Sequence, residues 1–176
     1  MSRHWLFALL LAAPIGAHAQ APNAAALAQR SRDALAPVAR IVGQWAGDAR
    51  VVEGPGEPIR VRQAEDVTFG AANTVILIRG TGRDPQTDAV NFEAVAMLWY
   101  DPQQGKLRMR SHRDGNTIEP EVEVRPDTLV WSFAMPAGRV RYVIALSDST
   151  WHEVGTFERA GAPPMQILEM RLRRTR

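Results

Sequence analysis

The chain is 176 residues long, 45% hydrophobic and 23% charged, with 21 basic and 19 acidic side chains for a formal net charge of +2. This length and composition fit one globular domain with a substantial core. The absence of cysteine excludes disulfides, thiolate catalysis and cysteine-based metal sites, and the near balance of charge argues against nucleic acid or an anionic membrane as a partner.

Residues 1–19 read as a secretory signal peptide. Arg3 and His4 precede an apolar run over 5–13, and Ala17-His18-Ala19 supplies an Ala-x-Ala exit before Gln20. The run is too short to span a membrane, and no cysteine follows it to carry a lipid anchor. The expected location is therefore periplasmic or secreted. Cleavage removes Arg3 and no acid, which leaves a formal net charge of about +1. Residues 20–40 form an N-terminal segment in which Asn23 can cap a short Ala-rich helix running to about residue 36, where Pro37 ends it or tightens its last turn.

From Ile41 onward the apolar period changes from helical to alternating, so residues 41–176 read as one β domain. Ten strands are predicted, over 41–53, 59–69, 74–83, 90–100, 106–113, 117–125, 128–134, 139–146, 150–159 and 165–173. Turn chemistry separates them, as in Gly54-Pro55-Gly56, Asp101-Pro102 with Gly105, Asp114-Gly115-Asn116 and Pro126-Asp127. Loops this short make neighbours antiparallel, and closing the meander would remove its two free edges. The expected fold is all-β: a closed up-and-down antiparallel barrel of about ten strands with a short N-terminal helix, a β-sandwich being the other architecture. In the fourth strand both faces turn apolar toward the C-terminal half, so the N-terminal segment or a second copy in a homodimer should cover the outside there.

Alternation also sorts the candidate binding residues. Trp131, Phe133, Tyr142, Trp151, Glu153 and Phe157 combine aromatic surface with polar tips, and Arg110, His112 and Arg141 could pair a ligand's anionic group. Charged residues on strands are also what an ordinary outer face carries. No nucleophile motif, phosphate loop or zinc spacing is present: Arg79-Gly80-Thr81-Gly82-Arg83 has no following helix, and its glycines fit a bend of the curling sheet. No catalytic residues are assigned. The basic run Arg171, Arg173, Arg174 and Arg176 reads as a strand's polar face with a solvated tail.

Gly43-Gln44-Trp45, at the start of the first strand, resembles the signature of the calycins, the superfamily of lipocalins and fatty-acid-binding proteins. The resemblance implies that an arginine of the last strand, Arg171 or Arg173, packs across Trp45 and closes the barrel with Gly43. Trp99-Tyr100-Asp101-Pro102, Arg108-Met109-Arg110-Ser111-His112, Val140-Arg141-Tyr142, Trp151-His152-Glu153 and Glu169-Met170-Arg171-Leu172-Arg173 look like a group of bacterial secreted lipocalin-like proteins of unknown function. Gly43, Trp45 and Gly47 are also similar to the Gly-x-Trp-x-Gly-x-Gly opening of nitrobindin-type haem barrels, with Ala49 at the last position. This implies His152 as the candidate haem ligand, since an axial imidazole must be aimed into an apolar pocket.

The expected function is an exported binding protein that holds a small hydrophobic or amphipathic molecule and requires no cofactor. The alternatives are a haem barrel with redox or isomerase chemistry at His152, and an accessory domain whose barrel is filled by its own side chains and acts through its surface.

Overall fold

The structure, a computed structural model, describes residues 23–52, 54 and 56–176. The signal-peptide reading of residues 1–19 lies outside them. Helix α1 (Ala24–Leu35) begins at Asn23, whose side-chain oxygen accepts from the Ala25 N–H at 3.0 Å. A 3₁₀ turn, Ala36–Ile41, follows with Pro37 in its first turn, where the missing N–H has no partner to lose.

Eleven strands follow among the described residues: β1 (Gly43–Val51), β2 (Ile59–Gly70), β3 (Val75–Arg83), β4 (Val90–Asp101), β5 (Lys106–Arg113), β6 (Asn116–Ile118), β7 (Glu121–Arg125), β8 (Thr128–Met135), β9 (Gly138–Leu146), β10 (Thr150–Glu158) and β11 (Met165–Arg174). They form one antiparallel sheet in the order β6-β5-β4-β3-β2-β1-β11-β10-β9-β8-β7. The class is all-β and barrel-like, with two departures from the sequence expectation. The predicted sixth strand is two strands, because Pro120, with no ladder donor, interrupts it. Its two pieces are the two edges of the sheet, so the barrel is not closed. The ends approach each other, β5 lying beside β7, but no ladder joins β6 to β7.

One end of the barrel is shut. Leu35, Val38 and Ile41 carry the helical segment into the core, where they join Trp45, Val67, Ile76, Leu98 and Leu172. Trp45 is 1% exposed, donates its indole N–H to the Ile41 carbonyl at 2.8 Å and meets Trp151 edge to face at 5.9 Å. The cation across its ring is Arg174, with the guanidinium carbon 4.1 Å from the ring centroid. Arg174 also donates to the carbonyls of Val42 at 2.7 Å, Arg40 at 2.6 Å and Asp148 at 2.7 Å.

Arg171 and Arg173 therefore do not fill the place first assigned to them. In β11 the inward face carries Met170 and Leu172, and parity sends Arg171 and Arg173 outside, where both are exposed. Arg171 pairs there with Glu169.

The two glycines around Trp45 have separate causes. Gly43 has φ +144°, and a Cβ there would overlap the Arg174 guanidinium. At Gly47 a Cβ would run into the backbone carbonyl of Arg171 across the β1–β11 pair.

Helix α1 packs against β4, with lesser contact to β3 and β5, while Val95 and Met97 of β4 stay exposed. Arg174→Ala, which removes the stacked cation and leaves three carbonyls short of donors, is expected to lower unfolding free energy by about 2–3 kcal/mol. Arg171→Ala should stay within about 0.5 kcal/mol of the parent chain. Urea midpoints at pH 7 compare them, and equal midpoints would reject the assigned roles.

Candidate functional site

The other end of the barrel opens into a cavity of about 680 Å³. Apolar side chains such as Val61, Ile78, Ala94, Met109, Ile144 and Met170 form most of its wall. Small residues on β1, β3 and β4 make the space: Ala49, Gly80, Ala94 and Ala96 all line it. Of the predicted binding residues, Trp131, Phe133, Tyr142, Trp151 and Glu153 line the cavity. Tyr142 stacks on Trp131 at 3.9 Å and 12°, across the register that pairs β8 with β9. Its ring also lies against Gly155, the opposing residue on β10, where a Cβ would fall 2.6 Å from the ring.

Glu153 is 5% exposed and occupies the inner face of β10 between Trp151 and Gly155. Both of its oxygens are engaged by indoles: Trp131 donates to Oε1 at 3.2 Å and Trp151 to Oε2 at 3.1 Å. Burial pushes its pKa up to about 7, against the lowering effect of the two indole donors.

A second carboxyl lies in the same wall. Glu65 of β2 is 8% exposed and accepts from Gln63 Nε2 at 2.7 Å. Burial pushes its pKa up to about 8; Gln63 opposes the shift and the charge of Glu153 adds to it. A Cβ on Gly80 would lie 2.8 Å from Glu65 Oε1, so the glycine is what leaves room for this carboxyl.

Tyr142 is likewise raised, to about 12, by burial first and then by the charge of Glu153, with Arg113 opposing. Arg113, at the C-terminal end of β5, lines the cavity, lies 4.5 Å over the Phe92 ring and pairs with Asp114 at 2.8 Å.

Gln63 and Glu65 are not among the residues singled out from sequence, and Gly80 figures there only as a bend of the curling sheet. A signal was present, because Val61, Gln63, Glu65 and Val67 share one parity of β2 while Arg60, Arg62, Ala64 and Asp66 share the other. Two polar residues set between valines of the inward face mark an interior polar site.

Four predicted residues lie elsewhere. Arg110 and His112 are on the outer face of β5, opposite Met109 and Ser111; Arg110 pairs with Glu119, and His112 Nδ1 is 2.8 Å from Thr117 Oγ1. Arg141 takes the outer face of β9, opposite Val140 and Tyr142. Phe157 lies beyond the register shift between Gly155 and Thr156, packed at Gly138 with Arg159 over its ring at 5.9 Å.

The haem reading does not fit these residues. His152 alternates with Trp151 and Glu153, so its side chain leaves the sheet on the outer face, with Nε2 3.5 Å from Glu169. Among the described residues, a haem in the cavity would find no axial imidazole. Among the described residues there is also no cluster of three or more potential metal ligands.

No family model matches the chain, and no curated protein does. Among solved structures it is similar to Rv2717c from M. tuberculosis, at 11% identity with a TM-score of 0.62, over 81% of this chain and 98% of that one. It is also similar to the S-type phycobiliprotein lyase CPES from Guillardia theta, at 12% identity with a TM-score of 0.54, over 83% of this chain and 94% of that one. Both are lipocalin-like barrels, consistent with a calycin-type fold.

The raised carboxyls give stability a direction with pH. In the unfolded chain Glu65 and Glu153 lose their protons near the ordinary glutamate value of 4.5, whereas the folded protein keeps them to about 8 and about 7. Between these limits the folded state binds more protons, so this contribution is present at low pH and is lost as pH rises. Glu119, Glu123, Glu169 and Asp84, all lowered, act in the opposite sense but below that window. The urea midpoint is expected to fall between pH 5 and pH 8, and Glu65→Gln should flatten the fall. An unchanged slope in the variant would count against a buried, proton-holding Glu65.

Proposed function

We propose that this chain is an exported binding protein that encloses a small hydrophobic or amphipathic molecule. The observation that carries this reading is the cavity itself: about 680 Å³, open at one end and walled mainly by apolar side chains. That volume lies within the range of small-molecule sites. A barrel filled by its own side chains would have large residues at Gly80, Ala94 and Ala96. Export rests on the leader pattern of residues 1–19.

The neutral dye N-phenyl-1-naphthylamine is expected to brighten on binding and to quench Trp131 and Trp151 emission. Ala94→Trp, which projects an indole into the cavity, should weaken dye binding at least about tenfold. A dye that stays dark, or binds Ala94→Trp equally well, would overturn the cavity as a binding site. The export reading is checked by intact mass: protein recovered from the periplasm or medium should begin at Gln20, and retention of the leader would refute it.

A further inference from the structure

The polar groups of the cavity are unevenly matched. Glu153 has a donor at each oxygen, both neutral indoles, and its two carboxylate oxygens are held as acceptors. Glu65, nine-tenths buried in the same cavity, has Gln63 at Oε1, while Oε2 has no hydrogen-bond partner among the described residues. Gln63 Oε1 and the Tyr142 hydroxyl have none either. The wall thus presents two carboxyls, an amide oxygen and a hydroxyl to the cavity, and among the described residues no cation is bonded to either carboxyl. The ionised form of a carboxyl in an apolar-walled cavity is costly unless an opposite charge meets it.

Building on the binding reading above, we propose that the ligand is a hydrophobic amine whose protonated nitrogen sits between Glu65 and Glu153. With Glu65 ionised, the ammonium donates to Glu65 Oε2 and Gln63 Oε1, and the apolar body lies against Trp131, Tyr142 and the aliphatic wall. Stacked aromatic rings near the nitrogen add attraction for a cation.

The groups facing this position set its pH response. They are Glu65 from β2, Glu153 from β10, Tyr142 from β9, and Arg113 from β5 with its partner Asp114. Tyr142 stays protonated throughout the physiological range. The two carboxyls titrate near neutrality. A bound cation favours their ionised forms, so binding at pH 7 releases protons. As pH falls from 8 to 6, the amine must displace protons from Glu153, weakening binding by about tenfold through that group alone, with more from Glu65.

The test uses decylamine, decanol and decanoic acid, three probes with one body and different heads, titrated by displacement of N-phenyl-1-naphthylamine and by calorimetry in two buffers of different ionisation enthalpy. At pH 8 decylamine is expected to bind at least about tenfold more tightly than decanol, with decanoic acid weakest. The advantage should shrink toward pH 6, and the calorimetry at pH 7 should register proton release. In Glu153→Gln and Glu65→Gln the ratio of amine to alcohol affinity should fall. Equal binding of amine and alcohol, or tightest binding of the acid, overturns the amine assignment and leaves the binding function standing. Failure of all three probes to displace the dye overturns it as well. An amine preference that survives in both variants, or that shows no pH dependence in the parent chain, overturns the role of these carboxyls.

Discussion

The stack of Arg174 on Trp45 is the constraint from which the rest of the barrel follows. It joins the first strand to the last, and the three carbonyls it engages belong to Arg40, Val42 and Asp148, so one guanidinium also ties down the helical lead-in and the β9–β10 turn. The bonds are made by a planar, permanently charged fork that a lysine could not reproduce. Gly43 and Gly47 exist to let this contact form: one makes space for the guanidinium and the other lets β11 approach β1. With that end packed solid by Leu35, Val38 and Ile41, the interior can be hollow only at the opposite end.

The hollow end carries a stability cost. Small residues at Gly80, Ala94 and Ala96 forgo packing contacts, and two carboxyls are held out of water with raised proton affinity. A sequence under selection for stability alone would fill the cavity and replace Glu65 and Glu153 by apolar residues. Local rules broken together in one cavity mark a site where function competes with stability. The asymmetry between the well-bonded Glu153 and the half-bonded Glu65 then concerns chemistry: one carboxyl is oriented in advance and the other is left able to take a ligand's donor.

The gap between β6 and β7 is a second consequence of local chemistry. Pro120 breaks the strand, and Glu119 beside it is held by Arg108 and Arg110 of β5, so the break is fixed in place by ion pairs on the outer surface. A smaller cavity of about 320 Å³ lies along this seam, bordered by Ile118, Phe133 and Arg139. Arg110 is thus employed in holding an edge, which removes it from the interior.

Periodicity along the chain was enough to find an all-β meander, the positions of most strands, and which residues of β8, β9 and β10 share a face, because alternation is a local property of a strand. Asn23 and Pro37 marked the helical lead-in for the same local reason. Three features needed the folded chain. Which arginine meets Trp45 depends on register across residues far apart in sequence, and a one-residue difference in β11 exchanges Arg174 for Arg173. Whether the meander closes depends on Pro120, whose effect on a strand depends on the strand's position in the sheet. The Glu65–Glu153 site joins β2 to β10, strands that are not neighbours in the sheet, so no spacing or motif along the chain could announce it. Alternation says which residues share a face; only tertiary structure says which faces meet, because that is decided by the curl of the whole sheet around its packed end.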